Sequence, residues 1–380
     1  MQSETFVKKI ARDSGFDLCG VARAEPVPGL SFFDLWLKRG LDGPLAYLKK
    51  HRGARADPSL VLPGVKSVIC LARTYLPPPQ GLGTGSCVAS KVPVPNQDQP
   101  LARIASYAGG EDYHVSLKRD MEALALRIKK ELIPDFEFRI VADSAPVLER
   151  SYAQAAGLGW IGKNTCLIHP EKGSFFLLGE ILTTAELSPD ENRVEDQCGA
   201  CTACLDACPT GALVEAGVMD ASRCISTLTL EQKGVLPEAL LPKMENWIAG
   251  CDVCQEVCPF NQEKRDGEIG RLGDTGKEPQ LATPSPLKGE GREGMPASEF
   301  PLAEFLSLTL PEIRARFKGS AVLRAKPAML MRNALVAAGN SGDAGLKPLV
   351  AAKTQDPDAG IASAARWAFK VLSPPPAGEG

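Results

Sequence analysis

The sequence predicts an α+β fold followed by a helical tail, and three observations predict it. Short apolar runs of strand character are interleaved with amphipathic helical patterns up to about residue 185. Eight of the twelve cysteines are then compressed into residues 198–258. From residue 301 onward the pattern is helical.

Residues 5–14 read as a short helix that ends near Gly15. Residues 16–22 and 66–72 read as strands. Residues 114–132 place Leu117, Met121, Leu124 and Ile128 on one face of a longer helix. A strand at 136–142, a helix at 146–156 and a strand at 175–183 complete a first domain at residues 1–185. Within it, residues 77–100 are rich in Pro, Gly and Gln and read as a long loop or lid. Residues 186–262 form the cysteine module. Residues 263–300 read as a low-complexity linker, because their Gly, Pro, Lys and Glu bury too little apolar surface to order the chain. In residues 301–375, stretches 328–338 and 344–352 read as an antiparallel helix pair and 361–371 as the next helix, a HEAT-like alternation. That unit is too short to stand as a free solenoid and is expected to pack on the rest of the chain.

The 380 residues are 44% hydrophobic and 23% charged, the balance of a soluble globular protein. A net charge of −3 gives no global attraction to nucleic acid. The charge is uneven, however. Residues 313–332 hold Arg314, Arg316, Lys318, Arg324, Lys326 and Arg332 with no acidic residue among them. No apolar run approaches the roughly 18–20 residues that span a bilayer. The first twelve residues show neither a signal core nor a twin-arginine pair. The expectation is a cytoplasmic protein with no membrane partner, in which clustered cysteines bind metal rather than form disulfides.

Cys198, Cys201, Cys204 and Cys208, followed by Pro209, have the spacing of a bacterial ferredoxin run. Cys251, Cys254 and Cys258, followed by Pro259, form a second run that lacks one member, and Cys224 is the cysteine left nearby to supply it. In such paired runs, the cysteine beside proline serves the other cluster. One 4Fe–4S cluster is therefore assigned to Cys198, Cys201, Cys204 and Cys258, and a second to Cys208, Cys224, Cys251 and Cys254. Paired cysteines also build zinc ribbons, but two mirrored runs favour two clusters, close enough to pass electrons in series. Cys19, Cys70, Cys87 and Cys166 have no such spacing; Cys19 and Cys70 lie in strand-like runs and read as core thiols.

Asp143 falls where a strand gives way to a helix. By local pattern alone it reads as a helix N-cap, with a functional carboxylate as the alternative. Gly157, Gly159 and Gly162 match a dinucleotide fingerprint in spacing, but they follow a helix instead of a strand, so nicotinamide binding is rejected.

Together these segments closely resemble the epoxyqueuosine reductase family. The resemblance covers nearly the whole chain: Arg55 to Pro58, Asp112-Tyr113-His114, Asp143 through Asn164, Gly173 through Thr183, both cysteine runs, Cys224-Ile225-Ser226, and Arg332-Asn333-Ala334. It implies a nitroreductase-like cobalamin-binding domain, a ferredoxin-like two-cluster domain and a C-terminal HEAT-like α-helical repeat. The implied reaction reduces epoxyqueuosine to queuosine at the wobble position of the tRNAs for aspartate, asparagine, histidine and tyrosine, the last step of queuosine biosynthesis. Electrons pass from the clusters to cobalamin. Asp143 matches the family's proton donor, and its carboxyl is expected to be raised by burial beside the corrin. Arg55, Asp143, Leu167, Leu178 and Ser226 are carried over as cobalamin-pocket residues. Read locally, Arg55 is a surface arginine, the two leucines are core, and Ser226 is a cap near Cys224. Lys233, Arg324, Lys326 and Arg332 are the expected contacts to a tRNA anticodon arm, against the plainer reading of a solvated helical face. A separate electron donor and a monomeric enzyme complete the expectation. The alternative is a related cobalamin and iron–sulfur reductive dehalogenase, which typically carries an export signal and lacks the helical tail.

Overall fold

The structure is a computed structural model and describes residues 2–27, 29–75, 99–191, 193–262 and 299–373. At its centre is a four-stranded antiparallel sheet ordered Leu18–Arg23, Ser67–Thr74, Phe176–Thr183, Phe138–Val141. The two inner strands are almost continuously apolar because both sheet faces are covered. On one face, Val7 and Ile10 of helix Gln2–Asp13 and Leu117, Met121, Leu124 and Ile128 of helix Tyr113–Glu131 pack on Ile69, Leu71 and Ile181. On the other face, Tyr152 and Ala153 of helix Glu149–Ala155 meet Val68, Cys70, Ala72 and Leu182.

The elements read from sequence in this part are present, with ends moved by one to three residues. The largest shifts are three residues: the first helix starts at Gln2 instead of residue 5, and the helix expected to start at residue 146 starts at Glu149. The chain bends through residues 142–147 before that helix begins.

A second sheet was not expected. Leu101–Ile104 pairs in parallel with Trp247–Ala249 and antiparallel with Glu299–Pro301. Glu299 and Phe300, read as the end of a linker, are therefore strand residues. Most of the expected loop at 77–100 and of the linker at 263–300 lies outside the described residues.

Of the tail helices, Pro327–Ser341 and Ala359–Val371 pack closely. A Cβ on Gly339 would lie 2.5 Å from the Trp367 ring, so only glycine admits this approach. The stretch between them is shorter than expected, a 3₁₀ turn at Ala344–Leu346 followed by Lys347–Ala351. The tail core is continuous with the second sheet and with helix Ile225–Leu230: Ile104, Ile225, Leu228 and Trp247 share one cluster with Phe305, Phe317, Leu330 and Leu335. Among the described residues, no helix is long and apolar enough to cross a membrane.

Arg332, expected on the tRNA-facing surface, is buried at 1% exposure. Its guanidinium donates to the carbonyls of Gln232, Gly234 and Leu228. Beside it, Asn333 donates to Thr229 and Ile248. Arg332 therefore joins the tail to the loop after residue 228, and burial denies it any phosphate.

Candidate active site and cluster module

Asp143 sits on the turn after strand Phe138–Val141 at φ 55°, a left-handed conformation uncommon for residues other than glycine. It is not a helix cap; the following helix starts after Leu148 without any side-chain cap. The Asp143 carboxylate instead faces an imidazole and a guanidinium across the chain. Its Oδ2 lies 3.0 Å from His114 Nε2 and accepts a hydrogen bond from Arg324 Nη1. His114 is held in turn by Asp112, whose Oδ1 is 2.7 Å from Nδ1. Arg324 Nη1 is also 2.9 Å from His114 Nε2. The triplet Asp112-Tyr113-His114 thus opens helix Tyr113–Glu131 with its imidazole presented to Asp143, and Arg324 closes the site from the tail.

The electrostatics reverse one expectation. Burial pushes the Asp143 carboxyl up, but the hydrogen bond from His114 and the charge and hydrogen bond of Arg324 outweigh it and hold the group at about 2. Asp143 is a carboxylate here, not a raised acid. The raised carboxyl is its neighbour Glu149, pushed up to about 7 by burial and by the Asp143 charge. Glu149 Oε1 accepts the backbone N–H of Asp143. Glu180, fully buried on the central strand, also has a carboxyl raised by burial, and neither of its oxygens has a hydrogen-bond partner.

Arg55 is buried, lies over the Phe33 ring and leaves Nη1 without a hydrogen-bond partner. Leu167 is buried, and half-buried Leu178 packs against the same cluster. Ser226 is half-buried, and its backbone N–H donates toward the Cys224 sulfur. Lys233, Arg324 and Lys326 are exposed.

The cysteines fall into two sets. Burial pushes the Cys258 thiol up to about 11, and Cys198, Cys204 and Cys201 are near enough to push it the same way. Burial likewise raises Cys251, which has Cys224 and Cys208 as neighbours. Cys254 lies beside Cys251 and Cys224. Among the described residues, no group of three His, Cys, Asp or Glu side chains is drawn together as round a single ion. A cubane asks for a different arrangement, four thiolates spread over four irons. Cys166, set aside on spacing, is hydrogen-bonded to Cys254 and so borders the second set.

Residues 157–164 brace this module. A Cβ on Gly159 would stand 2.1 Å from the Ile168 carbonyl, so glycine is required where Trp160–Ile161 pairs with Leu167–Ile168. The turn directs Trp160 Nε1 to Cys198 Sγ at 3.4 Å, Lys163 Nζ to the carbonyls of Gly199 and Cys201, and Asn164 Nδ2 to the carbonyl of Cys254. The glycine spacing that mimics a nucleotide loop is a docking turn for the cysteine loops. The sequence reading missed His114 as the partner of Asp143 and Glu149 behind it. Their only signal was membership of the quoted motifs.

Residues 55–144 match the family model described as "Epoxyqueuosine reductase QueG, DUF1730", and residues 197–261 match a "4Fe-4S double cluster binding domain". An epoxyqueuosine reductase of Gloeobacter violaceus is 40% identical over 89% of this chain and 96% of its own length. One of Cyclobacterium marinum is 42% identical over 67% of this chain and 78% of its own length. A crystal structure of epoxyqueuosine reductase with an epoxyqueuosine-modified tRNA-Tyr stem loop is 28% identical, with a TM-score of 0.76, over 98% of this chain and 90% of that one. This chain belongs to the epoxyqueuosine reductase family.

Proposed function

We propose that this protein reduces epoxyqueuosine to queuosine in the anticodon loop of tRNA. The observation that carries the reading is the 40% identity to an epoxyqueuosine reductase over almost the full length of both chains. The reaction takes two electrons and two protons, turning an epoxide into an alkene and water.

The residues present fit the groups that this chemistry needs. Cys198, Cys201, Cys204 and Cys258 would hold one 4Fe–4S cluster and Cys208, Cys224, Cys251 and Cys254 the other, a reading supported by Cys258 neighbouring the first three and Cys251 neighbouring Cys208 and Cys224. The buried Arg55 Nη1 is a donor without an acceptor, and the amide carbonyls at the rim of a corrin are acceptors of the matching kind. Leu167 and Leu178 offer it apolar surface, and Ser226 completes the pocket beside Cys224. Bound there, the clusters and cobalamin supply the electrons. The protein contributes the rest. Asp143 delivers a proton to the leaving oxygen, His114 orients that carboxyl, and Lys233, Arg324 and Lys326 meet phosphates of the anticodon arm. A nitroreductase-like domain at 1–185, a ferredoxin-like module at 186–262 and a HEAT-like tail at 301–375 divide these tasks. The enzyme works as a cytoplasmic monomer fed by a separate electron donor.

The test is anaerobic reconstitution with iron, sulfide and cobalamin, followed by reaction with epoxyqueuosine-containing tRNA and nucleoside analysis. Queuosine should form, and its absence from the fully loaded enzyme would overturn the assignment. Asp143→Ala should keep both clusters and cobalamin while turnover falls by a factor of about 10²–10⁴; loss of the cofactors instead would make Asp143 structural.

A further inference from the structure

Arg324 belongs to the basic stretch read as a tRNA contact, yet its guanidinium is bound to Asp143 and His114. The two duties conflict. While Arg324 sits beside Asp143, the carboxylate is held ionised and has no proton to give. The pair is also accessible, with the Arg324 side chain 43% and the Asp143 side chain 41% exposed. A half-exposed ion pair of this kind is weak; Arg324 meets Asp143 through Nη1 alone, and a phosphate offers a guanidinium a two-pronged partner.

We propose that Arg324 is a positioning residue for the reaction: it pairs with Asp143 in the free enzyme and passes to a phosphate of the bound tRNA stem loop, so that Asp143 takes up its proton only with substrate in place. This rests on the readings of Asp143 as proton donor and of Arg324 as tRNA contact. Among the described residues, no other Lys or Arg forms an ion pair with Asp143. Lys118 is bound to Ser144 Oγ, Arg150 to the Thr165 carbonyl, and Arg55 faces Tyr47 and Glu149. The remaining neighbours are the carboxyls of Glu149 and Glu231 and the phenols of Tyr47, Tyr107 and Tyr113. His114 alone stays in contact. Its Nε2 lies 3.0 Å from Asp143 Oδ2, and the half-exposed carboxylate takes its proton from solvent. The arrangement ties acid chemistry to occupancy, because an empty site holds no armed acid.

Infrared difference spectroscopy of the cluster-loaded enzyme tests this, with the Asp143 carboxyl band assigned by its loss in Asp143→Asn. Stem-loop binding is followed in parallel by fluorescence anisotropy with an unmodified anticodon stem loop. In free Arg324→Gln, the protonation midpoint of Asp143 should rise by about one to three pH units, and in wild type saturated with stem loop it should rise similarly. Arg324→Lys should restore the low midpoint in the free enzyme, which separates lost charge from lost folding. An unchanged midpoint in Arg324→Gln overturns the proposal, as does an unchanged midpoint in wild type shown by anisotropy to be saturated. A wild type that binds no stem loop overturns the tRNA-contact reading, and the proposal with it. If Arg324→Gln raises the midpoint but leaves stem-loop affinity untouched, the transfer to phosphate is overturned while the tRNA reading stands on Lys233 and Lys326.

Discussion

Glu149 stands one hydrogen bond behind Asp143, and its burial gives a pH signature. Its carboxyl is held above the ordinary value of 4.5, at about 7, so the folded state keeps a proton that the unfolded chain releases. The stabilisation is complete below the unfolded value and is lost as pH rises through the folded one. Asp143 runs the other way: its contribution is present above its ordinary 3.8 and is lost as pH falls through about 2, outside the same window. Glu149 should therefore contribute a decline in stability between pH 4.5 and 7 on the order of 2–3 kcal/mol, on top of the like contribution of buried Asp252, raised to about 6. Glu149→Gln keeps the acceptor for the Asp143 N–H and should flatten that decline in melting curves; an equal slope in the variant would show that the group does not titrate there. At this scale the sequence was a poor guide. Asp143 read locally as a cap because a carboxylate after a strand does that duty most often. Its true partners, His114 and Arg324, lie 29 and 181 positions away. Arg332 was misread for the same reason, since a guanidinium destined for three carbonyls looks identical in sequence to one destined for a phosphate.

At the scale of elements, the two cysteine loops exchange their last members. Cys258 neighbours Cys198, Cys201 and Cys204, while Cys208 lies near Cys251 and Cys224. A pairwise experiment exposes the exchange. Cys198→Ser with Cys258→Ser should remove one cluster and leave about half of the bound iron and sulfide. Cys198→Ser with Cys208→Ser should cost both, although those two cysteines are far closer in sequence. Equal losses in the two double variants would mean that each run serves its own cluster. Spacing made these loops legible, because cluster geometry dictates where ligands fall along the chain. The strands of the large sheet were legible as apolar runs. Leu101–Ile104 and Glu299–Pro301 were not: strands of three or four residues show little periodicity, and their pairing is fixed by partners far along the chain.

For the molecule as a whole, the net charge of −3 conceals a cationic rim. Lys233 and Lys326 are exposed on two segments that the tail core brings together. Replacing both with Glu should weaken stem-loop binding and lessen the slope of log affinity against log salt by about 1–2, as expected for two lost phosphate contacts. An unchanged slope would return both lysines to ordinary solvation. Arg332→Met makes the contrast. It leaves the carbonyls of Gln232, Gly234 and Leu228 without their donor, and should lower stability by about 3 kcal/mol or more in thermal melts.

The small three-stranded sheet has a consequence for biogenesis. Leu101–Ile104 is its middle strand, and both neighbours are encoded much later, the last at Glu299–Pro301. On a ribosome adding about 5–20 residues per second, the middle strand waits roughly ten to forty seconds before its second edge can be closed. Unpaired edges are where nascent chains stick to one another. The foundation shared by the tail and the segments flanking Cys224 and Cys251 is therefore finished only once Glu299–Pro301 has been made. A chain shortened before residue 299 would lack this strand, and the segments flanking Cys224 and Cys251 would lose part of their support.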